Sequence, residues 1–294
     1  MTPSLPASRP PRISIVTPSY NQASFLEATL KSVLDQQYPN LEYIVIDGGS
    51  RDGSVEIIQR YASSLKYWVS EADGGHMHAI NKGFAQATGE IMAWLNSDDV
   101  LCPWALQTVG HIFQDLPAVQ WLTTRTPLRL NAAGEVTNAF RVPGFSRTWF
   151  YRGRHLGGQP GFVGYIQQES TFWRRSLWLA AGGHVDERQP LAGDFELWLR
   201  FFERADLVWA DVPLGGFRQH GHQKTSDIEG YNADAARILA PHRNKTIQAP
   251  VLVWALQCLH RLTGRGARRF GSRQAQVEYN AITNSWQHIS RDCI

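Results

Sequence analysis

The sequence predicts an α/β fold in which a mainly parallel sheet is flanked by helices, with a helical extension at the C-terminus. Two observations lead to this fold class. Between residues 13 and 99, short apolar runs rich in β-branched residues alternate with segments of helical periodicity. The chain also has 294 residues, of which 43% are hydrophobic, enough to bury a full core. Because parallel neighbours need long crossover connections, such alternation favours a parallel sheet with helices on its faces.

The first two strands and helices follow from local patterns. Residues 13–17 form a β-branched run that ends at Pro18, as expected of a buried strand that leads into a loop. Apolar residues at helical spacing predict a helix over 25–34. A second strand is predicted at 43–46, and a helix capped by Ser54 then extends to about residue 61.

The same alternation continues through the next part of the chain. A strand is predicted near 66–69, a helix from about 78 to 87, and a strand at 91–95. After Pro103 a further helix is expected to extend to about residue 113. The strand–helix units therefore follow one another with short connections, as in a sheet wound by successive crossovers.

Beyond residue 113 the pattern is less regular. A hairpin is predicted over 126–140, and the Gly-rich, aromatic segment 143–168 is either a mobile active-site loop or a surface excursion. Another strand is predicted at 169–174. A helix that starts at Asp194 has aromatic and aliphatic residues at i, i+3, i+4 and i+7, which directs one aromatic face into the core. From Tyr231 onward the chain is expected to be helical and increasingly basic.

Composition divides the chain into three parts and excludes several protein classes. Residues 1–11 are expected to form a flexible leader, 12–225 the α/β domain, and 226–294 a helical extension. The net charge of +3 is far from the dense basic stripe of a dedicated nucleic-acid binder, so no nucleic-acid partner is expected. Three scattered cysteines suggest neither a zinc cluster nor a disulfide framework, which favours a cytoplasmic location.

The C-terminal extension raises the question of membrane contact. No segment reaches the roughly 20 uninterrupted apolar residues of a spanning helix, and the proline-containing N-terminus shows no export signal. Apolar residues at 251–256 precede four arginines between residues 261 and 269. This pattern fits a helix that makes peripheral contact with the inner face of an anionic membrane. The alternative is a packed terminal helix with a solvated basic tail.

Polar loops follow three of the predicted strands, at residues 17–21, 47–54 and 96–99. The carboxyl ends of parallel strands form the ligand crevice in this architecture. In the first loop Pro18 stiffens the strand exit and Tyr20 offers a ring for stacking beneath a base, although an ordinary turn would also use these residues. In the second, Asp47 could accept hydrogen bonds from a pyrimidine or a ribose, or could form an Asx turn.

The third loop contains Asn96, Ser97, Asp98 and Asp99. Two adjacent carboxylates at a strand end repel each other unless a cation or hydrogen-bond donors neutralise them. Mg²⁺ or Mn²⁺, with substrate phosphates completing the oxygen ligands, would resolve that repulsion. A pair of surface aspartates in a loop is the alternative.

Two later segments also hold candidate residues. Asp194 opens an aromatic helix, where a carboxylate often serves only as a cap or as a charge at the positive end of the helix dipole. The glycine-rich stretch 215–224 carries Arg218 and Lys224, which suit phosphate oxygens, and His220 and His222, which could ligate a metal. A solvated basic turn is the competing interpretation of that stretch.

Taken in order, these motifs resemble glycosyltransferase family 2, the inverting transferases of the GT-A fold. The resemblance covers about residues 12–225 and implies a single Rossmann-like, mainly parallel sheet. It is specific from 13 to 99 and looser through 168–171 and 194–198. The motifs are Thr-Pro-Ser-Tyr-Asn at 17–21, Asp-Gly-Gly-Ser at 47–50, Asp-Gly-Ser at 52–54, Asn-Lys-Gly at 81–83 and Asn-Ser-Asp-Asp at 96–99.

The resemblance implies the residues that hold the nucleotide. Pro18, Tyr20 and Asp47 would line the nucleoside pocket, and Asp98 would lie near the ribose or the metal. The donor would be a nucleotide diphosphate sugar, with a UDP-sugar as the default.

The resemblance also implies the metal ligands and the base. Asp99, Asp98 and His220 would bind Mg²⁺ or Mn²⁺, and Asp194 matches the family's catalytic base. The family's metal motif often begins with Asp, where this chain has Asn96. That departure bears on metal affinity rather than on the fold.

The activity implied by the resemblance is transfer of the sugar to a hydroxyl acceptor with inversion at the anomeric carbon. The acceptor would be a glycan or a lipid-linked molecule, in polysaccharide or surface-glycan biosynthesis. One alternative is a non-catalytic scaffold that binds sugar nucleotides, for which Asn96 is the sequence support. A nucleotidyltransferase is a second alternative, but it would usually show a Gly-rich, basic phosphate loop near the N-terminus, and residues 17–27 have none.

Overall fold

The computed structural model describes residues 9–221, 223, 226–242 and 273–292. Strands and helices alternate in its first third, as predicted. The strands are β1 (Ile13–Ser19), β2 (Leu41–Asp47), β3 (Tyr67–Ser70), β4 (Ile91–Trp94), β5 (Val100–Leu101), β6 (Trp121–Thr124), β7 (Leu128–Leu130), β8 (Val136–Ala139), β9 (Phe172–Arg174), β10 (Val208–Ala210), β11 (Gly215–Arg218), β12 (Arg273–Asn280) and β13 (Ser285–Asp292). The helices are α1 (Ala23–Leu34), α2 (Ser54–Tyr61), α3 (His76–Gln86), α4 (Ala105–Asp115), α5 (Arg147–Tyr151), α6 (Arg175–Ala180), α7 (Gly193–Phe202) and α8 (Ile228–Leu239).

One large sheet organises the molecule, with its strands in the order β13-β12-β10-β6-β9-β4-β1-β2-β3. Parallel pairs join β1 to β2 and β4, β2 to β3, and β10 to β6 and β12. β9 is antiparallel to both of its neighbours, β4 and β6, and β13 is antiparallel to β12. The predicted mainly parallel sheet is therefore confirmed, with one reversed strand near its centre.

A second, smaller sheet has the strand order β5-β11-β7-β8. It contains the predicted hairpin, since β7 and β8 pair antiparallel across residues 131–135. β5 directly follows the loop after β4, and β11 pairs with it in antiparallel fashion. The small sheet therefore brings the end of β11 back to the loop that contains the adjacent aspartates.

Helix α3 packs closely on the large sheet because of a glycine. A Cβ atom at Gly83 would lie 2.3 Å from Val16 Cγ1 of β1 and 3.2 Å from Ile46 Cγ1 of β2. Only a residue without a side chain permits this approach. The closeness keeps α3 against the strands whose ends carry the first two polar loops.

Buried tryptophans fill the centre of the core between the sheet and α7. The ring of Trp198 stacks on Trp94 with centroids 6.0 Å apart, and lies 5.6 Å from Trp121 and 5.9 Å from Trp173. Phe201, one turn along α7, packs edge-on against Trp121. The predicted aromatic face of this helix is therefore the face that enters the core.

The C-terminal part departs from the prediction. α8 is helical, but residues 273–292 form a β-hairpin, so the prediction of a wholly helical extension is wrong. β12 pairs in parallel with β10 and extends the large sheet. The hairpin arises because the edge of β10 offers backbone partners, and Tyr279 and Trp286 pack together across its two strands at 5.6 Å.

Segment 143–168 is anchored through its first half. Phe145, Phe150 and Leu156 are buried, and the ring of Phe150 stacks on Phe195 of α7 at 4.6 Å. Residues 159–162 are exposed. Neither a wholly mobile loop nor a plain surface excursion therefore describes the segment.

Several predictions concern residues that the structure does not describe. Most of the predicted leader, His222, Lys224 and the apolar and arginine-rich stretch at 251–269 lie outside the described ranges. Within those ranges, none of the helices combines the length and apolar character needed to cross a membrane.

Candidate active site

The loops that follow β1 and β2 are fastened to each other at the carboxyl edge of the sheet. The N–H of Gly48 donates to the carbonyl of Ser19 at 2.9 Å. Asn21, with a φ of 51°, donates its N–H to Ser50 Oγ at 2.8 Å and accepts the N–H of Arg51 on its side-chain oxygen at 3.0 Å. The two loops therefore form one unit at the carboxyl edge of the sheet.

Asp52 ties the starts of α1 and α2 together. Its Oδ2 accepts the N–H of Ala23, the first residue of α1, at 2.9 Å, and its Oδ1 accepts the N–H and hydroxyl of Ser54. The prediction that Ser54 caps α2 is wrong, because Ser54 is the first helical residue and follows Gly53 at a φ of 98°. Asp52 instead accepts the N–H of Ser54, one of the four N–H groups at the start of α2 that have no partner within the helix.

Asp47 is fully buried and hydrogen-bonded within its own loop. Its Oδ2 accepts the N–H groups of Gly49 and Ser50 and the hydroxyl of Ser70, at 3.1, 2.9 and 2.7 Å. Its Oδ1 accepts the hydroxyl of Ser50 at 2.5 Å. The structure thus shows the Asx-turn arrangement that was the alternative for this residue, and its contact with a nucleoside stays a prediction.

Tyr20 is the most exposed of the predicted nucleoside-pocket residues, at 63%, whereas Pro18 is buried in β1. A Cβ atom at Gly48 would lie 3.2 Å from the Tyr20 ring and 3.2 Å from Asp73 Oδ2. Asp73 also accepts the N–H of Gly75 at 2.7 Å. The structure therefore adds Asp73, which the sequence did not suggest, to the surroundings of the exposed ring.

Asp98 and His220 come together, as the resemblance implied. The Oδ2 of Asp98 lies 3.0 Å from Nε2 of His220, although the residues are far apart in sequence. The imidazole stacks on the ring of Phe25 at 4.2 Å, and the N–H of His220 donates to Gln223 Oε1 at 2.7 Å. The carboxylate and the imidazole are thus held in a defined orientation, and the Asp98 side chain keeps an exposed fraction of 17%.

Asp99 lies in a different environment from Asp98. It is 1% exposed, and its Oδ1 accepts the N–H of Arg218 at 2.9 Å while Asn96 donates to its Oδ2 at 3.3 Å. Burial and the charges of Asp98 and Glu169 raise the pKa of the Asp99 carboxyl well above its usual value. Of the two adjacent aspartates, Asp98 is the one that faces His220.

Arg218 is a structural clamp in this geometry rather than an open phosphate ligand. Its side chain is buried, with Nε 2.7 Å from the carbonyl of Asp98 and Nη1 3.0 Å from the carbonyl of Ala132. The guanidinium also lies over the ring of Phe25 at 5.4 Å. The Arg218 side chain therefore joins β11 to the turn between β7 and β8 and to the loop at residues 96–99.

Asp194 lies at the start of α7, where the sequence placed it. Its Oδ1 accepts the N–H of Phe195 at 2.7 Å, and its Oδ2 lies 3.3 Å from the hydroxyl of Tyr231. Desolvation raises the pKa of Asp194 to about 6, although the Phe195 and Tyr231 donors oppose that shift. A carboxylate with this pKa is a competent base near neutral pH.

Glu169 lies within the 168–171 part of the family resemblance, but no role in the site was predicted for it. It is 3% exposed, and its Oε1 is a buried oxygen without a hydrogen-bond partner in the described part of the chain. Burial raises its pKa to about 8, with the charge of Asp194 adding to the shift and Arg129 opposing it. Because it interacts with both Asp99 and Asp194, Glu169 connects the two acidic parts of the site. Its position in the 168–171 part of the resemblance was the available signal.

The described residues contain no group of three or more His, Cys, Asp or Glu side chains that could hold a metal by themselves. They do contain the Asp98–His220 pair, and beside it Asn96 has a buried Oδ1 without a partner. Mg²⁺ and Mn²⁺ commonly take one or two protein ligands and complete their coordination with water and substrate phosphates. The donors present therefore fit a cation shared with a diphosphate.

The sequence is similar to that of known glycosyltransferases. The model for the family described as Glycosyl transferase family 2 matches residues 14–172. An uncharacterized glycosyltransferase of Nostoc sp. is 38% identical over 35% of this chain and 33% of its own length. An uncharacterized glycosyltransferase of Rickettsia bellii is 24% identical over 96% of this chain and 40% of its own length. The chain thus spans well under half of the length of these relatives.

Solved structures share the fold at low sequence identity. S. aureus TarS in complex with UDP-GlcNAc has a TM-score of 0.60 and 16% identity, covering 87% of this chain and 73% of TarS. The mannosyltransferase PcManGT of Pyrobaculum calidifontis, in complex with GDP-Man and Mn²⁺, has a TM-score of 0.51 and 18% identity, covering 87% and 82%. These similarities confirm the GT-A fold. Because the family model covers residues 14–172, more than half of the chain, this protein belongs to glycosyl transferase family 2.

Proposed function

We propose that this protein transfers a sugar from a nucleotide diphosphate sugar, by default a UDP-sugar, to a hydroxyl acceptor with inversion. The observation that carries the proposal is the grouping of Asp98, His220, Glu169 and Asp194. They come from the loop at residues 96–99, the segment after β11, the turn before β9 and α7, and they lie together although they are distant in sequence. The complex of TarS with UDP-GlcNAc supports a UDP-sugar as the first donor to test.

The base in this proposal is Asp194. Its carboxylate takes the proton from the acceptor hydroxyl while that oxygen bonds to the anomeric carbon, and the bond from this carbon to the diphosphate breaks with its electron pair leaving on the nucleotide. A single displacement of this kind inverts the anomeric configuration. The pKa of about 6 leaves Asp194 mostly ionised at neutral pH, yet basic enough to accept a proton.

We propose that Asp98 and His220 bind Mg²⁺ or Mn²⁺ together with the donor diphosphate. When bound, the cation would neutralise charge on the departing diphosphate. Asp99 was also predicted as a ligand; its Oδ1 accepts the Arg218 N–H, so Oδ2, which accepts the longer bond from Asn96 at 3.3 Å, is the oxygen that it would offer to a cation. The complex of PcManGT with GDP-Man and Mn²⁺ supports testing Mn²⁺ first.

For the nucleoside we propose the exposed ring of Tyr20 as the stacking surface at the end of β1. Pro18 and Asp47 would shape this pocket, since Pro18 is buried and the Asp47 carboxylate holds its loop. The fastening of the two loops keeps the ring at the carboxyl edge of the sheet without a ligand. Such preorganisation lowers the conformational cost of binding.

Calorimetric titration tests donor and metal binding. UDP, GDP and dTDP are titrated with and without Mn²⁺ into the wild type, Asp98→Asn, Asp99→Asn and, as a control, Asp35→Asn, which changes an exposed aspartate after α1. We expect one nucleotide to bind in a metal-dependent manner, and Asp98→Asn to abolish that dependence while Asp35→Asn keeps it. Absence of binding to all three nucleotides by the folded protein would contradict the proposal.

Turnover tests the base. We expect Asp194→Asn to reduce the release of nucleotide from the donor by about 10²- to 10⁴-fold, with unchanged nucleotide affinity. Asp234→Asn on α8, where Asp234 pairs with Arg237, is the matched control and should keep full activity. Normal turnover by Asp194→Asn would remove its assignment as the base.

The acceptor is proposed to be a glycan or a lipid-linked molecule, as in polysaccharide or surface-glycan assembly. Attachment to a membrane through residues 250–294 stays a prediction, because most of that segment lies outside the described residues. Co-sedimentation with anionic liposomes tests it. Equal binding by the full chain and by a chain without residues 250–294 would refute membrane attachment through this segment.

A further inference from the structure

The two oxygens of Asp194 are held by different parts of the fold. Oδ1 accepts an N–H from α7 itself, that of Phe195, at 2.7 Å. Oδ2 lies 3.3 Å from the hydroxyl of Tyr231, which belongs to α8. Tyr231 lies beyond residues 14–172, where the family model ends, so the family match gives no reason to expect it in the site.

The residue after Tyr231, Asn232, bonds to the segment that precedes β9. Asn232 Oδ1 accepts the N–H of Gly157 at 3.0 Å and lies 3.3 Å from the hydroxyl of Tyr165. The rings of Tyr165 and Tyr231 are 6.0 Å apart in an edge-to-face arrangement. Consecutive residues of α8 therefore contact the proposed base and the segment that precedes β9.

We propose that Tyr231 is a positioning residue for the base, in which its phenol O–H donates to Asp194 Oδ2 and fixes the orientation of the carboxylate toward the acceptor. The proposal rests on the proposed function, because it assumes that Asp194 is the base. Without this donor, Oδ2 would lose its side-chain partner, and the carboxylate could turn about its Cβ–Cγ bond.

The titratable groups around Asp194 determine how removal of the Tyr231 hydroxyl should change the pKa of Asp194. Glu169 faces it from the turn before β9, and Tyr231, with Tyr165 beyond it, faces it from the α8 side. Burial and the Asp194 charge raise the pKa of Tyr231 well above its usual value, so the phenol keeps its proton as a donor. A donor to the ionised form lowers the pKa of Asp194. Loss of the Tyr231 hydroxyl should therefore raise the pKa of Asp194.

The test measures the protonation of Asp194 directly, using the full chain labelled with ¹³C at the aspartate carboxyl groups. The resonance that disappears in Asp194→Asn identifies the residue. We expect Tyr231→Phe, which keeps the ring and its packing, to raise the titration midpoint of Asp194 by about half to one pH unit. Tyr61→Phe is the matched control, because it removes a tyrosine–carboxylate hydrogen bond on α2, to Glu27, at 2.8 Å.

The pH dependence of turnover should shift together with the titration midpoint of Asp194. The acidic limb of the pH–rate profile should shift upward by the same amount in Tyr231→Phe, with kcat reduced and the KM for the donor unchanged. An unchanged Asp194 midpoint in Tyr231→Phe would overturn the proposal. Failure of the proposed function would look different, since the wild type would then bind no nucleotide, and failure of the base assignment would leave turnover normal in Asp194→Asn, whatever the titration shows.

Discussion

Arg218→Lys distinguishes a structural clamp from a phosphate ligand. The substitution keeps the positive charge and the backbone N–H that donates to Asp99, but it removes the planar fork that reaches the carbonyls of Asp98 and Ala132 at 2.7 and 3.0 Å. Hydrogen bonds from a charged donor contribute about 1.5–3 kcal/mol each. Since a lysine ammonium can replace at most one of the two bonds in this geometry, at least one bond is lost, and we expect the free energy of unfolding to fall by about 1.5–3 kcal/mol.

The assay is urea unfolding in the absence of nucleotide and metal. Arg188→Lys is the control, because the Arg188 side chain is 87% exposed and its substitution should change the unfolding free energy by less than about 0.5 kcal/mol. If Arg218→Lys is as stable as the control but binds nucleotide more weakly, the clamp interpretation is wrong. Arg218 would then be the phosphate ligand that the sequence suggested.

Three further predictions concern pH and packing. Transfer should fall about tenfold for each pH unit below pH 6, because Asp194 becomes protonated there, and a pH–rate profile that stays flat down to pH 5 would contradict this. Glu169 has a folded pKa of about 8 against 4.5 when exposed, so its contribution to stability is present below pH 4.5 and is lost as the pH rises to 8. Urea unfolding in EDTA should therefore show the wild type losing stability relative to Glu169→Gln over that interval, by up to about 1.4 kcal/mol per pH unit, and parallel curves would refute it. Gly83→Ala should destabilise by about 1–3 kcal/mol because its Cβ meets Val16 Cγ1 at 2.3 Å, whereas Gly221→Ala should not, because its Cβ would meet no atom of the described residues within 4 Å. Equal urea midpoints would show that α3 can move away.

The elements predicted correctly are those whose signal is local. The strand–helix units up to β4 have strong periodicity and clear turn residues, and the aromatic spacing on α7 identified the buried face. The short strands β6, β10 and β11 were missed, because three or four residues carry little periodicity and their pairing is decided by distant partners. The C-terminal hairpin has longer strands, and it was missed because β12 pairs with the edge of β10, a partner that is distant in sequence.

The candidate site shows the same division. The sequence placed polar loops at the strand ends, and the pairing of Asp98 with His220 followed from the family resemblance. It could not show that Asp99 is buried against the Arg218 backbone, because that contact joins residues 119 positions apart. No role was predicted for Glu169, which lies within the 168–171 part of the resemblance, or for Tyr231, because burial and neighbouring groups decide both roles.

The reversed strand β9 also constrains the order in which the chain can fold during synthesis. β1, β2, β3 and β4 lie between residues 13 and 94, so that half of the sheet can assemble as soon as it leaves the ribosome. β6 is made well before β9 but reaches β4 only through it, so it must wait for residues 172–174. We therefore expect translation to produce a stable N-terminal half first, with the other strands docking later through a single three-residue strand. Pulse proteolysis of ribosome-bound chains of increasing length would reveal such a two-step gain of protection.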